Sequence, residues 1–178
     1  MSTKPAKIAG LLAIIAAVVM AIAGIATWVV ITGQLTEEKI VVPKDAAFLP
    51  GAKVQGPFSA YAQAEIIKHH ALAASQGKTY AELGDLQRAA QAEAKAAKEA
   101  GDTAKEEAAT KQAADYTAQR TTVMNGSFLR ASLFTSVLAY GVAFLVIGLA
   151  ILFGLIGWAL MNLAKAAGPV AEPVVVKE

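Results

Sequence analysis

Two uncharged hydrophobic runs, residues 8–31 and 131–163, stand towards the two ends of the 178-residue chain and enclose a polar middle. At the helical rise the first would be about 36 Å long and the second about 50 Å, against a hydrocarbon slab of about 30 Å. Each is long enough to cross a membrane. In hydrocarbon the backbone must satisfy its own hydrogen bonds, and neither run alternates as a barrel strand does, so both are predicted to be helices. The expected fold is an all-α membrane protein. Two transmembrane helices form a hairpin and carry a small, mainly helical extracytoplasmic domain between them.

The chain is 56% hydrophobic and 17% charged, more apolar than one soluble core of this size readily hides. The excess lies in the two runs. Net charge is only +2, and the cations of the middle section are interleaved with Asp and Glu. This pattern argues against a nucleic-acid partner. The absence of cysteine excludes disulfides, thiolate nucleophiles and Cys-based metal sites.

Orientation follows from the flanks. Lys4 and Lys7 precede the first run and Lys165 follows the second, while Glu37 and Glu38 lie beyond the first. Both termini are expected in the cytoplasm, with the central domain outside. Arg120 and Arg130 weigh the other way, although long translocated loops obey the charge rule weakly. Trp28 and Trp158 fit interfacial positions. A cleaved signal ending near Ala21–Ala23 is the alternative for the first run, but signal cores are usually about 7–15 residues, and this run continues to Ile31.

The expected order is a cytoplasmic N-terminus (1–7), a first span (8–31), an extracytoplasmic domain (32–130), a second span (131–163) and a disordered cytoplasmic tail (164–178). Residues 32–58 read as irregular with short β pieces, because Lys39–Val42 is β-prone and Pro43, Pro50, Gly51, Gly56 and Pro57 follow. A helix is expected over 59–76, with Ser59 as its N-cap, Phe58 as a staple and Gly77 past its end. Residues 80–124 form an Ala-rich helical arm, opened by the Thr79/Glu82 capping box and interrupted at Gly101–Asp102, with Thr103 and Glu106 as a fresh cap. Alanine buries little area, so the arm is predicted to be solvated, either as a linker or as a partner-binding coil. Asn125–Gly126 reads as a break, with Ser127 capping the next helix; Asn125–Ser127 also matches a glycosylation acceptor. Ala13, Ala17 and Ala21 on one span, and Ala150 with Gly154 on the other, are small-residue faces for helix packing.

Little chemistry is written in the chain. His69 and His70 are neighbours, and adjacent helical positions point about 100° apart, so they do not converge on one metal ion. Glu65 lies one turn before His69 on the same face, which gives two ligands and no third. There is no Ser-His-Asp order, P-loop, dinucleotide glycine pattern or HExxH motif. Neither run carries an ionisable residue at its centre, so no proton or ion path is indicated. The expectation is a protein without catalytic, cofactor-binding or metal-binding residues, and therefore not an enzyme.

Three stretches, MSTKPAKIAGLLAIIAAVVM, FLPGAKVQGPFSAYAQAEIIKHHALAASQGKTYAEL and TTVMNGSFLRASLFTSVLAYGVAFLVIG, together resemble a family of small actinobacterial two-span membrane proteins that commonly bear the name aromatic ring-opening dioxygenase. The resemblance implies a bacterial plasma-membrane protein with two spans and an outward domain. The dioxygenase name has no support in the residues. Such an enzyme binds iron through two histidines and a carboxylate on one face, and here the only histidines are adjacent. The expected role is an accessory or scaffolding subunit of a larger membrane or envelope complex, its partners being the lipid bilayer and other envelope proteins. A self-assembling homo-oligomer is the alternative.

Overall fold

The computed structural model describes residues 4–166. Four helices account for most of them: α1 (Lys4–Glu37), α2 (Pro57–Ala74), α3 (Tyr80–Glu99) and α4 (Thr103–Ala166). Among the described residues there is no strand, and the β-prone stretch yields one isolated antiparallel bridge between Val41 and Lys53. α1 and α4 each contain a stretch long and apolar enough to cross a membrane. Most of the tail predicted over 164–178, and the start of the N-terminal segment, lie outside the described residues. The chain divides into two compact units, residues 1–34 with 138–178, and residues 35–137.

In the first unit α1 and α4 run antiparallel with their backbones nearly touching. A Cβ on Gly10 would lie 2.9 Å from the carbonyl oxygen of Gly157, and one on Gly157 would lie 2.7 Å from that of Gly10. Gly24 meets the Ala143 carbonyl and Ile147 in the same way. The buried positions on α1, Gly10, Ala17, Gly24 and Ile31, recur every seven residues, and so do Ala143, Ala150, Gly157 and Ala164 on α4. Seven residues return a helix to within about 20° of its starting direction, so these positions form one seam. The four-residue stripe expected from the sequence is only partly this seam. Ala17 is buried but Ala13 and Ala21 are half-exposed, because steps of four drift about 40° each time. The large aliphatics, Ile8, Leu12, Val19, Leu145 and Leu152 among them, face outward. The largest side chain held inside is Tyr140, with its hydroxyl 2.7 Å from Thr32 Oγ1 and its ring edge-on to Trp28 at 4.7 Å.

In the second unit α3 lies antiparallel to the first part of α4. Lys98 pairs with Glu106 at 4.0 Å and Lys105 with Glu93 at 3.4 Å, while Arg120 donates to Gln87 Oε1 at 3.2 Å and covers the Tyr80 ring. Between these polar edges Leu83, Ala90 and Ala97 are buried on α3, and Ala109 and Ala113 on α4. The arm is therefore a packed helical pair on this face, which corrects the solvated arm expected from its composition. Alanine does bury little area, but its smallness lets two backbones approach, and both then lose water together.

α2 covers the next stretch of α4. A Cβ on Gly126 would lie 3.0 Å from the Ala71 Cβ, Arg130 Nε donates to the Ala64 carbonyl at 3.2 Å, and the Tyr61 and Phe134 rings meet edge-on. The break expected at Asn125–Gly126 does not occur, and α4 passes through without interruption. Gly126 is the small position that admits Ala71. Ser127 does not cap a helix; its hydroxyl donates back to the Val123 carbonyl at 3.0 Å.

Several helix ends also differ from expectation. Gly56 is the N-cap of α2 and Pro57 its first residue, while Ser59, two residues on, accepts from the Gln55 and Gly56 N–H groups through its hydroxyl. Proline suits that first position because its missing N–H has no partner there anyway. Phe58 is no staple, being 72% exposed. α2 stops at Ala74, and two left-handed residues close it, Gln76, whose N–H reaches Ala73, and the expected Gly77, whose N–H reaches Leu72. The Thr79/Glu82 box opens α3 in reciprocal form. At the start of α4 the cap is Asp102, whose carboxylate accepts from the Lys105 N–H at 3.1 Å, rather than Thr103.

The α3/α4 packing makes two neighbouring positions unequal. Ala97 is buried and Ala96 exposed. Ala97→Glu should destabilise the protein by about 1–3 kcal/mol and Ala96→Glu by no more than about 0.5 kcal/mol, measured by thermal unfolding in detergent followed by circular dichroism. Equal effects would mean that the arm is solvated after all. Gly126→Leu should likewise cost about 1–3 kcal/mol through its clash with Ala71.

Candidate functional site

The loop over residues 38–56 is the longest irregular segment of the second unit. It is fixed by three backbone bonds of 2.9 Å, Val42 N–H to Ala52, Gly51 N–H to Val42 and Val54 N–H to Ile40. Gly51 takes a left-handed conformation at φ +76°, and Val42 and Val54 are buried beneath the loop at 1% exposure each. The loop lies along α2, and between them is an open cleft of about 390 Å³ lined by Asp45, Phe48, Tyr61, Glu65, Ile66 and His69, together with small alanines.

The histidines separate in position. His69 faces the cleft, whereas His70 Nε2 sits 2.7 Å from Asp45 Oδ2 and so ties the loop to α2. Their ring centroids are 5.9 Å apart with planes at 61°. Glu65 and His69 share the cleft face one turn apart. Glu65 also lies 3.9 Å from Arg130, whose guanidinium is positioned over Phe134. Among the described residues no group of three or more His, Asp or Glu side chains is placed to hold a metal ion. A volume of this size lies at the lower end of small-molecule pockets.

Asp45 and Arg130 are the members that sequence reasoning missed. Asp45 reads as an ordinary turn residue and carries no motif linking it to His70, 25 positions away. Arg130 reads as a boundary charge before the apolar run. The hydrogen bond from His70 holds the Asp45 carboxyl below its ordinary value of 3.8, helped by a backbone bond.

Because the folded value of Asp45 is depressed, its contribution to stability is fully present above pH 3.8 and is lost as pH falls through the lowered folded value. His70→Ala should bring the Asp45 titration back up towards 3.8, read from its carboxyl carbon shift by NMR. An unchanged titration would show that the clasp does not form in solution. No protein-family model, curated protein or solved structure matches this chain.

Proposed function

We propose that this is a bacterial plasma-membrane protein that crosses the bilayer twice as a hairpin, both termini cytoplasmic and residues 32–130 outside. It acts as a non-enzymatic accessory or scaffolding subunit of a larger membrane or envelope complex, in keeping with the actinobacterial two-span family that it resembles. The observation that carries the reading is the inversion of the apolar helices, with glycine and alanine inside the pair and bulky aliphatics outside. Only 17% of each apolar window is buried, which suits lipid-facing helices and not the core helices of a soluble protein. The charged helical pair and the open cleft of the second unit offer binding surface without a catalytic constellation.

One observation favours the self-assembling alternative. Gly141 and Gly148 stand seven residues apart on α4 with nothing within 4 Å of where a Cβ would be. They repeat, on an unoccupied face, the spacing by which α1 and α4 meet.

Purification from the native host in mild detergent, followed by mass spectrometry, should recover a stoichiometric partner with the chain. Recovery of the chain alone at a discrete multiple of its mass would favour the homo-oligomer, and as a monomer would defeat both readings. For orientation, cysteines introduced at Ser2 and Glu178 should resist a membrane-impermeant thiol reagent in intact cells, and one at exposed Lys111 should react. Labelling of either terminus before lysis would exclude the hairpin topology.

A further inference from the structure

The register of α2 against α4 sets the first turn of α2 beside the start of the second apolar run. Along the antiparallel pair Ala71 meets Gly126, Ala64 meets Arg130 and Tyr61 meets Phe134. The first turn of α2 therefore lies beside α4 near Val137. That is about 9 Å past Ala131, where the apolar run begins, at the helical rise of about 1.5 Å per residue. A soluble turn placed there should be polar. Instead its most exposed side chain is Phe58, at 72%.

The residues just before Phe58 add charge of one sign. Gln55 and Gly56 are tied to Ser59, and the Val41/Lys53 bridge brings Lys53 to the segment that leaves α1. A second cleft of about 310 Å³ opens there, lined by Thr36, Lys39, Ile40, Lys53 and Gln55 with two valines. It holds two ammonium groups and no carboxylate, and among the described residues neither lysine has a salt-bridge partner within 4.0 Å. Glu37 and Glu38 are near in sequence but do not line it.

We infer that this edge binds anionic phospholipid, Phe58 entering the acyl boundary while Lys39 and Lys53 hold the headgroup phosphate. The partner is the bilayer surface itself, because the same few residues present an exposed ring at the depth of an apolar run and paired cations beside it. A protein partner would account for the ring, but not for its depth. The inference rests on the proposal that the apolar runs span the membrane.

The test uses the full chain in vesicles of phosphatidylcholine with and without phosphatidylglycerol. The protein has no cysteine, so Phe58→Cys, Val19→Cys and Lys111→Cys each carry a single environment-sensitive fluorophore. The label at position 58 should shift to shorter wavelength and be quenched by lipids brominated near the headgroup, that at 19 by lipids brominated deep in the chain, and that at 111 by neither. Quenching at 19 with position 58 as exposed as position 111 would overturn the inference and leave the spans standing. No quenching at 19 would remove the spans and the inference together. Lys39→Gln with Lys53→Gln should lower the preference for phosphatidylglycerol over phosphatidylcholine among lipids retained on the purified protein, by roughly fivefold per lysine. An unchanged preference would remove the phosphate contact.

Discussion

How close two helix backbones can come is the constraint on which this structure rests. Where a Cβ at Gly10 or Gly157 would stand within 3 Å of the opposite carbonyl oxygen, no other residue fits without displacement. In water such closeness would gain from burying alanine methyls; in lipid it would gain from dispersion between surfaces that water never touched. The chain uses the same device in both units. Small residues stand where antiparallel partners settle onto them, at heptad spacing along the α1/α4 seam and at Ala90, Ala97, Ala109 and Ala113 on the α3/α4 face.

This device has an electrostatic counterpart on α3 and α4. Small seams leave long side chains at their edges, and Lys98, Lys105, Glu93 and Glu106 reach across the seam from either side. Exposed ion pairs of this kind contribute little to stability.

The apolar runs were legible because hydrophobicity is a local property, carried by each residue regardless of its neighbours. The Thr79/Glu82 box was legible for the same reason. Gly126 was not, because a glycine that admits a distant helix and a glycine that ends its own helix look alike until the partner, here Ala71, is known. Nor were Ala90 and Ala97, whose burial depends on Ala109 and Ala113 beyond a turn. The cleft residues fared likewise: Glu65 and His69 share a helix face that spacing reveals, while Asp45 comes to His70 only through the fold of its loop.

The continuity of α4 through Asn125, Gly126 and Ser127 has a consequence for the chemical ageing of the protein. Asn-Gly is the dipeptide most prone to deamidation when it is free, because the glycine nitrogen can swing onto the asparagine carboxamide and close a succinimide ring. In α4 that nitrogen belongs to a helix ladder, and the torsions required for ring closure are denied to it. The same restraint withholds Asn125 from an oligosaccharide transferase, which needs its acceptor extended. A sequence that would be labile in a loop is protected for as long as the helix holds, and the appearance of aspartate or isoaspartate at this position would record that it had opened.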